Sequence, residues 1–545
     1  MRSGKVLLIL SILLVWVYAL CEGAPAKKTA AQSPRPPKRP PHVLSITRAS
    51  YTLDKCRKLA ADWGAYAGQH PDEVRAWVEW GRALEICGDR EQSEQKFRRA
   101  IEIDSTDAAC LVVSVSLGDQ DFSDERQVQW IQKRLLQASL SDPGYAETYP
   151  ILMMASARLN DMKTARAALE KMASLGYISP VLAEYAYNMM APLEKNAILF
   201  TNGDNDTYPL WYLQEVRNLR RDVRVVNLSL LNVPWYIKQV KYQKPEVPIS
   251  MSDGAIDSLA PYENENSEFV FIKDIMVKHI LETNEARGSA KLPIYLAATV
   301  PDQIGLTPRL SLEGLVLRVL SDEVGPNGKV DAEKMKKNLY EVFKYDSLYT
   351  KNRRYDESVF GEDPHFGLAR NNYAAAHVRL AWQLREAEKM DEAVVEMEAA
   401  SKIDPYFQGV VGWLGIFYEA VGSFDKARDH YRSMLKKFGN DPQLGPQIRF
   451  KYAVMLERTG QRKSAIVELE KVCKSVQSGD AVKALGVLYW EDGRKAEAVG
   501  ILKKWVRDHP DDKDAQEMYN AYSGMLTSEE AAKKPAAKPT KRGKP

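Results

Sequence analysis

Small side chains recur at a regular spacing near the C-terminus of this 545-residue chain, and this periodicity constrains the fold more than any other feature. Four alanines are separated by 34, 38 and 33 residues, and another alanine or glycine stands twelve positions before each of them. Two antiparallel helices approach closely only where small residues face each other, so the pattern predicts stacked helix hairpins. The eight positions are Ala381, Ala393, Gly415, Ala427, Ala453, Ala465, Gly486 and Ala498.

This spacing resembles the tetratricopeptide repeat (TPR), a helix hairpin with a period of about 34 residues. We predict four repeats and a final helix over residues 364–526, with a glycine at each of three turns. A second array of helical repeats is predicted over residues 48–193, where Gly81 occupies the small position of a further repeat. The resemblance implies a surface that binds a protein partner.

The middle of the chain, residues 194–350, changes its period. Short apolar runs at 197–201, 223–227 and 293–298 are typical of strands, and residues 208–217 fit a helix. Strand–helix–strand alternation over about 30 residues predicts a βαβ unit and a small parallel sheet. The predicted fold class is therefore mostly α, with two TPR-type arrays flanking a small α/β domain.

A polar loop follows the first predicted strand and contains the triplet Asp204-Asn205-Asp206. Sharp strand-to-helix loops are where α/β folds bind ligands, and such a triplet offers the oxygen atoms that a divalent cation prefers. Polar side chains that follow the next strand are expected at the same edge of the sheet, with aromatic side chains as apolar or sugar-stacking walls. The candidate ligand-binding residues are Asp204, Asp206, Asn227, Ser229, Asn232, Trp211 and Trp235.

A structural role is the alternative for the same loop, and its residue types favour that role. Asp and Asn oxygens cap helices, Gly203 would supply a positive φ, and Pro209 would lie in the first turn of the following helix. The aromatic side chains would then fill the core between the sheet and its helices. Both interpretations stay open at this point, and a metal, if one binds, would be held by Asp204 and Asp206.

Residues 200–215 and 222–232, with the pair Trp235-Tyr236, resemble the soluble C-terminal region of a family of protein O-mannosyltransferase-like membrane proteins. In that family a multi-helix membrane portion precedes this block and would hold the transferase site, whereas helical repeats precede it here. The resemblance therefore implies an accessory module with a membrane transferase as its partner. A soluble glycosyltransferase is the least favoured interpretation.

The N-terminus has the layout of an export signal. Arg2 and Lys5 precede a long apolar run, and small residues follow it, which predicts a signal over residues 1–24. The protein is then periplasmic or otherwise extracytoplasmic, or anchored in a membrane if the signal stays uncleaved. A Pro/Lys-rich linker at 25–47 and a basic tail at 527–545 are predicted to be disordered.

Composition and motifs argue against several classes of protein. The 76 basic and 73 acidic residues nearly cancel, which argues against nucleic acid as the main partner. No nucleophile elbow, phosphate-binding loop or dinucleotide fingerprint occurs, and the seven histidines lack zinc-ligand spacing. We expect no catalytic residue and no cofactor beyond a divalent cation.

The leading functional hypothesis is an exported scaffold for protein–protein interaction in cell-envelope or glycan-related assembly. It is motivated by helical repeats that are predicted over more than half of the chain. The alternative is a sugar-, phosphate- or cation-binding accessory module of a membrane glycosyltransferase system, with the Asp204 loop as its binding edge.

Overall fold

The computed structural model describes residues 38–44, 52–118, 122–301, 304–348 and 366–533. Within these ranges, residues 38–43 and 52–103 form one compact unit. Leu44 and the residues from 104 onward form a second unit. The predicted export signal, most of the predicted linker and the last twelve residues of the predicted tail lie outside the described residues.

The first unit contains the helices α1 (Leu53–Gln69), α2 (Val74–Ile86) and α3 (Arg90–Ile103). The α2–α3 hairpin is the repeat that was predicted around Gly81. A Cβ atom on Gly81 would lie 2.5 Å from the ring of Phe97, which is closer than any side chain allows. Glycine at this position therefore lets the two helices approach each other.

Helices also open the second unit and precede its sheet. The turn between two of them places Asn160 at a φ of 58°, and Asp161 then caps the next helix by accepting the backbone N–H of Thr164 at 3.1 Å. The described residues before the sheet are thus helical. The helices are α4 (Ala108–Leu117), α5 (Glu125–Ser141), α6 (Thr148–Arg158), α7 (Met162–Ser174) and α8 (Pro180–Met190).

The second unit contains a six-stranded sheet and a separate two-stranded hairpin. The hairpin strands lie between the second and third strands of the six-stranded sheet in the sequence. The sheet strands are β1 (Ile198–Thr201), β2 (Arg224–Asn227), β5 (Ile294–Ala297), β6 (Leu310–Leu312), β7 (Val316–Val319) and β8 (Lys329–Val330). The hairpin strands are β3 (Tyr262–Glu263) and β4 (Phe269–Val270).

The sheet is mixed, which corrects the prediction of a parallel sheet. Its order is β2-β1-β5-β7-β6-β8. β1 pairs in parallel with β2 and β5, whereas β7 pairs antiparallel with both β5 and β6. β6 and β7 are joined by a tight turn that contains Gly314 at a φ of 104°, and a tight hairpin makes the strands that it connects antiparallel. The predicted βαβ unit is confirmed only for the first three strands of this order.

The helices around the sheet share one hydrophobic core with the first C-terminal repeats. This core includes residues from Val181 to Met455. Buried Asn188 in α8 reinforces it, because its Nδ2 donates to the Lys344 carbonyl and to the Tyr373 hydroxyl, each at 2.6 Å. The helices are α9 (Asp204–Glu215), α10 (Pro234–Tyr242), α11 (Asp253–Asp257), α12 (Ile272–Glu285) and α13 (Ala332–Lys337), which continues as a π-helical turn, Asn338–Val342.

The C-terminal part of the second unit confirms the predicted array of four helix hairpins and a final helix. The predicted alanines at positions 393, 427, 465 and 498 are all fully buried. A Cβ atom on Gly415 would lie 2.2 Å from the ring of Tyr431, and one on Gly486 would lie 3.3 Å from Leu502. The helices are α14 (Phe366–Glu386), α15 (Met390–Ile403), α16 (Gln408–Ala420), α17 (Phe424–Phe438), α18 (Leu444–Arg458), α19 (Arg462–Ser475), α20 (Gly479–Glu491), α21 (Lys495–Asp508) and α22 (Lys513–Lys533).

The final helix extends past residue 527, where the disordered tail was predicted to begin. The hydroxyls of Thr527 and Ser528 donate to carbonyls four residues earlier at 2.8 and 2.9 Å, and Glu529 pairs with Lys495 of α21. Glu, Ala and Lys in this segment are good helix formers, which lets the helix continue to Lys533. No helix in the described ranges is long and apolar enough to cross a membrane.

Candidate functional site

The loop between β1 and α9 differs from the predicted geometry at two positions. Gly203 has an extended backbone with φ −155° and ψ −158°, so it does not supply a positive φ. Pro209 lies in the second turn inside α9 rather than in the first. The predicted side-chain capping does not occur at the N-cap, which is Gly203; Oδ2 of Asp206 instead accepts the backbone N–H of Asn202, the residue before the N-cap, at 3.1 Å.

Thr207 fastens the start of α9 to the sheet. Its Oγ1 donates to the carbonyl of Gly203 at 2.8 Å and lies 2.7 Å from the hydroxyl of Thr201 in β1. It also accepts Nδ2 of Asn227 at 2.9 Å. All three side chains, of Thr201, Thr207 and Asn227, are buried. The loop that carries Asp204 and Asp206 is therefore held at a defined position above the ends of the strands.

The carboxyl ends of β1 and β5 form a topological switch point. The chain leaves β1 through α9 to reach β2 on one side, and β5 later pairs with β1 on the other side. Open α/β sheets bind ligands in the crevice where neighbouring connections diverge in this way.

An open cavity of about 560 Å³ lies at this switch point, and we call it the sheet-edge cavity. Thr299, two residues after β5, bridges it to the loop, because its Oγ1 donates to Oδ2 of Asp206 at 2.5 Å. Asn372 of α14 closes the cavity from the repeat side and donates from Nδ2 to the hydroxyl of Tyr185 at 3.0 Å. The lining residues are Asn202, Gly203, Asp204, Asn205, Asp206, Ala298, Thr299 and Asn372.

Two polar lining residues outside the loop were missed by the sequence reasoning. Thr299 follows a run that was predicted as a strand, so its position at a strand end was a usable signal. Asn372 comes from a helix of the C-terminal repeats, and no local feature of the sequence indicates that this helix faces the sheet. Only the packing of α14 against the second unit's core brings it there.

The two carboxyls of the sheet-edge cavity lie in an environment that disfavours charge. Burial raises the pKa of Asp206 above its ordinary value, against hydrogen bonds from Thr299 and Asn202 that lower it. Burial also raises the pKa of Asp204, against a hydrogen bond from Tyr208. Asp206 is only 3% exposed, and its Oδ1 has no hydrogen-bond partner among the described residues. Both carboxyls lie in the first turn of α9, where the helix dipole favours negative charge.

Asn227 lies outside the sheet-edge cavity and has a structural role. Besides its bond to Thr207, its Oδ1 accepts the backbone N–H of Leu230 at 3.0 Å, and its own backbone N–H donates to the hydroxyl of Tyr236 at 2.9 Å. These bonds engage both the nitrogen and the oxygen of its side-chain amide within the protein. Through its bond to Thr207, Asn227 helps to hold the start of α9, which lines the cavity.

Ser229 and Asn232 connect loops and do not line the sheet-edge cavity either. The hydroxyl of Ser229 donates to the carbonyl of Asn202 at 3.0 Å. Oδ1 of Asn232 accepts the backbone N–H of Lys273 at 3.1 Å, at the start of α12. The structure thus brings Asp204 and Asp206 together and places Asn227, the last residue of β2, and Ser229 and Asn232 after it in the surrounding framework.

The two predicted tryptophans also lie away from the sheet-edge cavity. The ring of Trp211 stacks on Tyr208 with centroids 5.8 Å apart and lines a separate cavity of about 230 Å³ between α6, α7 and α10. The ring of Trp235 stacks on Phe122 at 6.3 Å, with the guanidinium of Arg158 5.8 Å away. Their ligand-binding role stays a prediction without support from the geometry of this cavity.

No group of three or more His, Cys, Asp or Glu side chains lies close enough to hold a metal ion in the part of the chain that the structure describes. At the sheet-edge cavity, the protein carboxyls are those of Asp204 and Asp206. Amide and hydroxyl groups make up the rest of its polar lining.

Comparison with family models finds a match in the middle of the chain. A family model described as TMEM260-associated domain 2 matches residues 182–259, which include β1, α9 and β2. A search of curated proteins finds no match. The helix hairpins and their spacing of about 34 residues make this a TPR-like helical repeat protein around a small mixed sheet.

Several of the solved structures to which this chain is similar are described as TPR proteins. One is YrrB, described as a TPR protein with an unusual peptide-binding site, at 16% identity and a TM-score of 0.25, covering 31% of this chain and 87% of that one. Another is the TPR domain of P58(IPK), at 10% identity and 0.20, covering 88% and 98%. A third is the human IFIT1 dimer with m7Gppp-AAAA, at 12% identity and 0.24, covering 87% of each chain. Similarities this low transfer no ligand to this chain.

Proposed function

We propose that this protein is a non-enzymatic scaffold whose C-terminal repeats bind an extended segment of a partner protein. The observation that supports the proposal is an open cavity of about 490 Å³ that is shared by the first helices of three successive repeats, α16, α18 and α20. We call it the repeat groove. Its lining residues are Val411, Gly412, Ile416, Tyr431, Gln443, Leu444, Pro446, Gln447, Ile448, Phe450, Lys451, Val472, Val476, Ser478 and Asp480.

The chemistry of the repeat groove suits a peptide. Aliphatic and aromatic side chains such as Ile416 and Phe450 offer an apolar floor, and polar side chains such as Gln447 and Asp480 lie among them. A peptide that places apolar side chains on such a floor still needs hydrogen-bond partners for its backbone, which the polar groups provide. Because the floor is formed by consecutive repeats, it favours a ligand that runs along them.

An aromatic cluster on α14 and α16 adjoins this floor. Trp413, next to Gly412, is 42% exposed, and its ring meets Trp382 edge to face with centroids 4.8 Å apart. The guanidinium of Arg385 lies 4.7 Å from the centroid of Trp382. Exposed Trp and Arg side chains dominate binding energies at protein interfaces, so this cluster is the proposed anchor point for the partner.

Two helical glycines allow a matched test of this proposal. Gly412 lines the repeat groove and Gly500 lies in α21, and a Cβ atom at either position would meet nothing within 4 Å. Arginine at either site should therefore keep the fold, but only Gly412→Arg fills the groove. Peptides would be selected from a displayed random library on the full-length protein, and their Kd values measured for both variants.

We expect Gly412→Arg to weaken the selected peptides by about tenfold or more, which corresponds to roughly 1.4 kcal/mol, and Gly500→Arg to leave their Kd unchanged. Failure of the selection to enrich any sequence would contradict the proposal. Equal binding by wild type and Gly412→Arg would show that the peptides bind elsewhere.

We further propose that the scaffold acts outside the cytosol, in cell-envelope or glycan-related assembly, next to a membrane transferase. Support comes from the charged and apolar N-terminal segment and from the resemblance of the middle block to membrane-protein modules. Mass spectrometry of the protein from its native cells should find an N-terminus close to residue 24. An intact Met1 in a cytosolic fraction would contradict this location.

A second candidate function is supported by the sheet-edge cavity: an accessory module that binds a sugar, phosphate or cation. The supporting observation is a cavity of small-molecule size at a switch point, lined by convergent polar groups and two carboxyls with raised pKa values. Thermal-shift titration of the full-length protein with these three ligand classes tests the function. Absence of any ligand-dependent shift would count against it.

A further inference from the structure

We propose that the sheet-edge cavity takes a neutral, hydroxyl-rich ligand, such as a sugar, with Oδ1 of Asp206 accepting a hydrogen bond from one ligand hydroxyl. This inference rests on the second candidate function and selects one of its three ligand classes. Its basis is the size of the cavity, the charge of its lining and the hydrogen-bonding capacity of that lining.

The size of the sheet-edge cavity indicates a molecule rather than a single ion. Its volume of about 560 Å³ falls in the range of about 300–1,000 Å³ that is usual for small-molecule pockets. The described residues leave the cavity open, so a ligand would enter without a rearrangement of the sheet. A lone ion would leave most of this space to water.

The charge of the lining argues against a phosphate. No Lys, Arg or His belongs to the described residues that line the cavity, whereas Asp204 and Asp206 both do. Among the described residues around the cavity, the N-terminus of α9 is the feature that attracts anions, and these two carboxyls already lie in its first turn. A phosphate would therefore meet like charges without a side-chain cation to balance them.

The coordination of Asp206 argues against a divalent cation. Calcium takes six to eight oxygen ligands, and carboxylates supply most of its charge compensation. Oδ2 of Asp206 already accepts the hydrogen bonds of Asn202 and Thr299, so the carboxylate cannot offer both of its oxygens. The described residues contain no third carboxylate, histidine or cysteine near enough to complete a metal site here.

The remaining polar groups match a sugar. A ligand hydroxyl donates one hydrogen bond and accepts others, and a side-chain amide also does both. Asn202 and Asn372 both line the cavity, and Oδ1 of Asp206 is a carboxyl oxygen for which the described structure shows no hydrogen-bond partner. Such an acceptor gains a hydrogen bond when a ligand hydroxyl donates to it.

Two substitutions test the proposal in the full-length protein. Asp206→Asn can keep an oxygen toward Asn202 and Thr299 while it replaces the acceptor Oδ1 by an amide donor. Asn372→Ala removes a lining amide from α14 without disturbing the loop after β1. Asp257→Asn is the control, because Asp257 belongs to the same α/β region but is paired with Lys238 at 2.7 Å outside the cavity.

The probes are glucose, galactose, mannose and xylose, inorganic phosphate, and the Ca²⁺ and Mg²⁺ ions alone. Saturation-transfer NMR detects sugar binding, and calorimetry gives the Kd values. We expect at least one sugar to bind in the millimolar range, because the lining formed by the described residues has no aromatic ring on which a sugar could stack. Asp206→Asn and Asn372→Ala should each weaken it by about tenfold, and Asp257→Asn should not change it.

Each other outcome overturns the proposal in a distinguishable way. Binding of phosphate or of a cation that Asn372→Ala abolishes, without sugar binding, overturns the ligand class and leaves the second candidate function in place. Sugar binding that neither cavity variant weakens puts the ligand elsewhere. Absence of binding by every probe overturns both. If Asp206→Asn alters hydrogen exchange in β1 and α9, its weaker binding reflects a changed fold. The Kd of Asn372→Ala alone then tests the proposal.

Discussion

The sheet-edge cavity and the repeat groove are built from the chain in opposite ways. The cavity combines residues 202–206 with residues 298–299 and Asn372, which are far apart in sequence. The groove uses neighbouring helices whose equivalent positions recur about every 34 residues. A periodic surface can be anticipated from its period, whereas a convergent cavity depends on the order of strands and on the packing of one distant helix.

The two sites also differ in their chemistry. The sheet-edge cavity is lined by amides, a hydroxyl and two carboxyls whose pKa values burial raises. The repeat groove has an apolar floor and adjoins the exposed ring of Trp413. One therefore suits a small polar ligand and the other a peptide, and changes in one site should leave binding at the other intact.

The largest expected effect tests the close approach of helices behind the repeat groove. Gly415→Leu would place a side chain within the ring of Tyr431, whose atoms lie 2.2 Å from an added Cβ. Overpacking of this kind costs about 3 kcal/mol or more and should separate α16 from α17. Hydrogen exchange of the full-length protein should rise in the C-terminal repeats and stay unchanged in β1 and β5.

Gly412→Ala is the matched control on the same helix, since its Cβ meets nothing within 4 Å. It should stabilise α16 slightly, by about 0.4–1 kcal/mol, because alanine restricts the unfolded chain. A Gly415→Leu protein with the exchange pattern of wild type would show that the small residues are not required for helix packing.

A smaller effect is expected from Thr207→Val, which acts on the opposite region. The change removes the hydroxyl that Asn227 and Gly203 use, and it leaves a buried amide donor without its partner. Such a loss costs about 1–3 kcal/mol, and the resulting shift of the loop should weaken any ligand of the sheet-edge cavity. The Kd of groove peptides, measured by calorimetry, should not change.

Thr459→Val provides the control for this substitution in the repeats. The hydroxyl of Thr459 donates to the carbonyls of Met455 and Leu456, which both keep backbone donors when it is removed. We expect a loss well below that of Thr207→Val. Equal losses for the two variants would contradict the special role of Thr207 at the cavity.

The smallest expected effect is a difference between the two regions in how their stability depends on pH. Burial lowers the pKa of His430 in α17 to about 4, and its Nε2 has no hydrogen-bond partner in the described residues. An unfolded histidine titrates near 6.5, so between these values the unfolded chain binds more protons, and the repeats lose stability as the pH falls. We expect a loss of the order of 1 kcal/mol after solvent screening, by calorimetric melting from pH 7 to 4.

His430→Leu should remove this acid-dependent loss. At the sheet-edge cavity the sign is opposite: a raised pKa means that folded Asp206 holds its proton more tightly than the unfolded chain does. Its contribution to stability is therefore present at low pH and decreases as the pH rises above the usual range of an aspartate. A melting profile in His430→Leu that keeps the acid loss of wild type would contradict the assignment to His430.

Much of the fold could be predicted because the signals were local. The recurring alanines and glycines predicted the C-terminal hairpins, and the strand-like runs predicted β1, β2 and β5. The prediction of a parallel sheet was wrong beyond these strands, because the turn at Gly314 reverses the chain and makes β6 and β7 antiparallel. The predicted positive φ of Gly203 was wrong as well: this residue is the N-cap of α9 and has an extended backbone, while Oδ2 of Asp206 accepts the backbone N–H of the preceding Asn202.

The candidate site could be predicted only in part. Asp204 and Asp206 lie in the sheet-edge cavity, as residues directly after a strand should. Asn227 ends the neighbouring strand and Ser229 follows it, but bonds to Thr207 and Asn202 use their polar groups within the protein. Periodicity and spacing report which residues share an edge, and they do not report which of them face solvent.

The sequence by itself determined the TPR-like hairpins, because sterics at small residues act between helices that are neighbours in the chain. Tertiary structure alone decided the sheet-edge cavity. Its completion by Thr299 and Asn372 depends on β5 pairing with the far side of β1 and on α14 packing against α8. Those contacts join segments about 90 to 190 residues apart, and burial of a shared core, not any local pattern, brings them together.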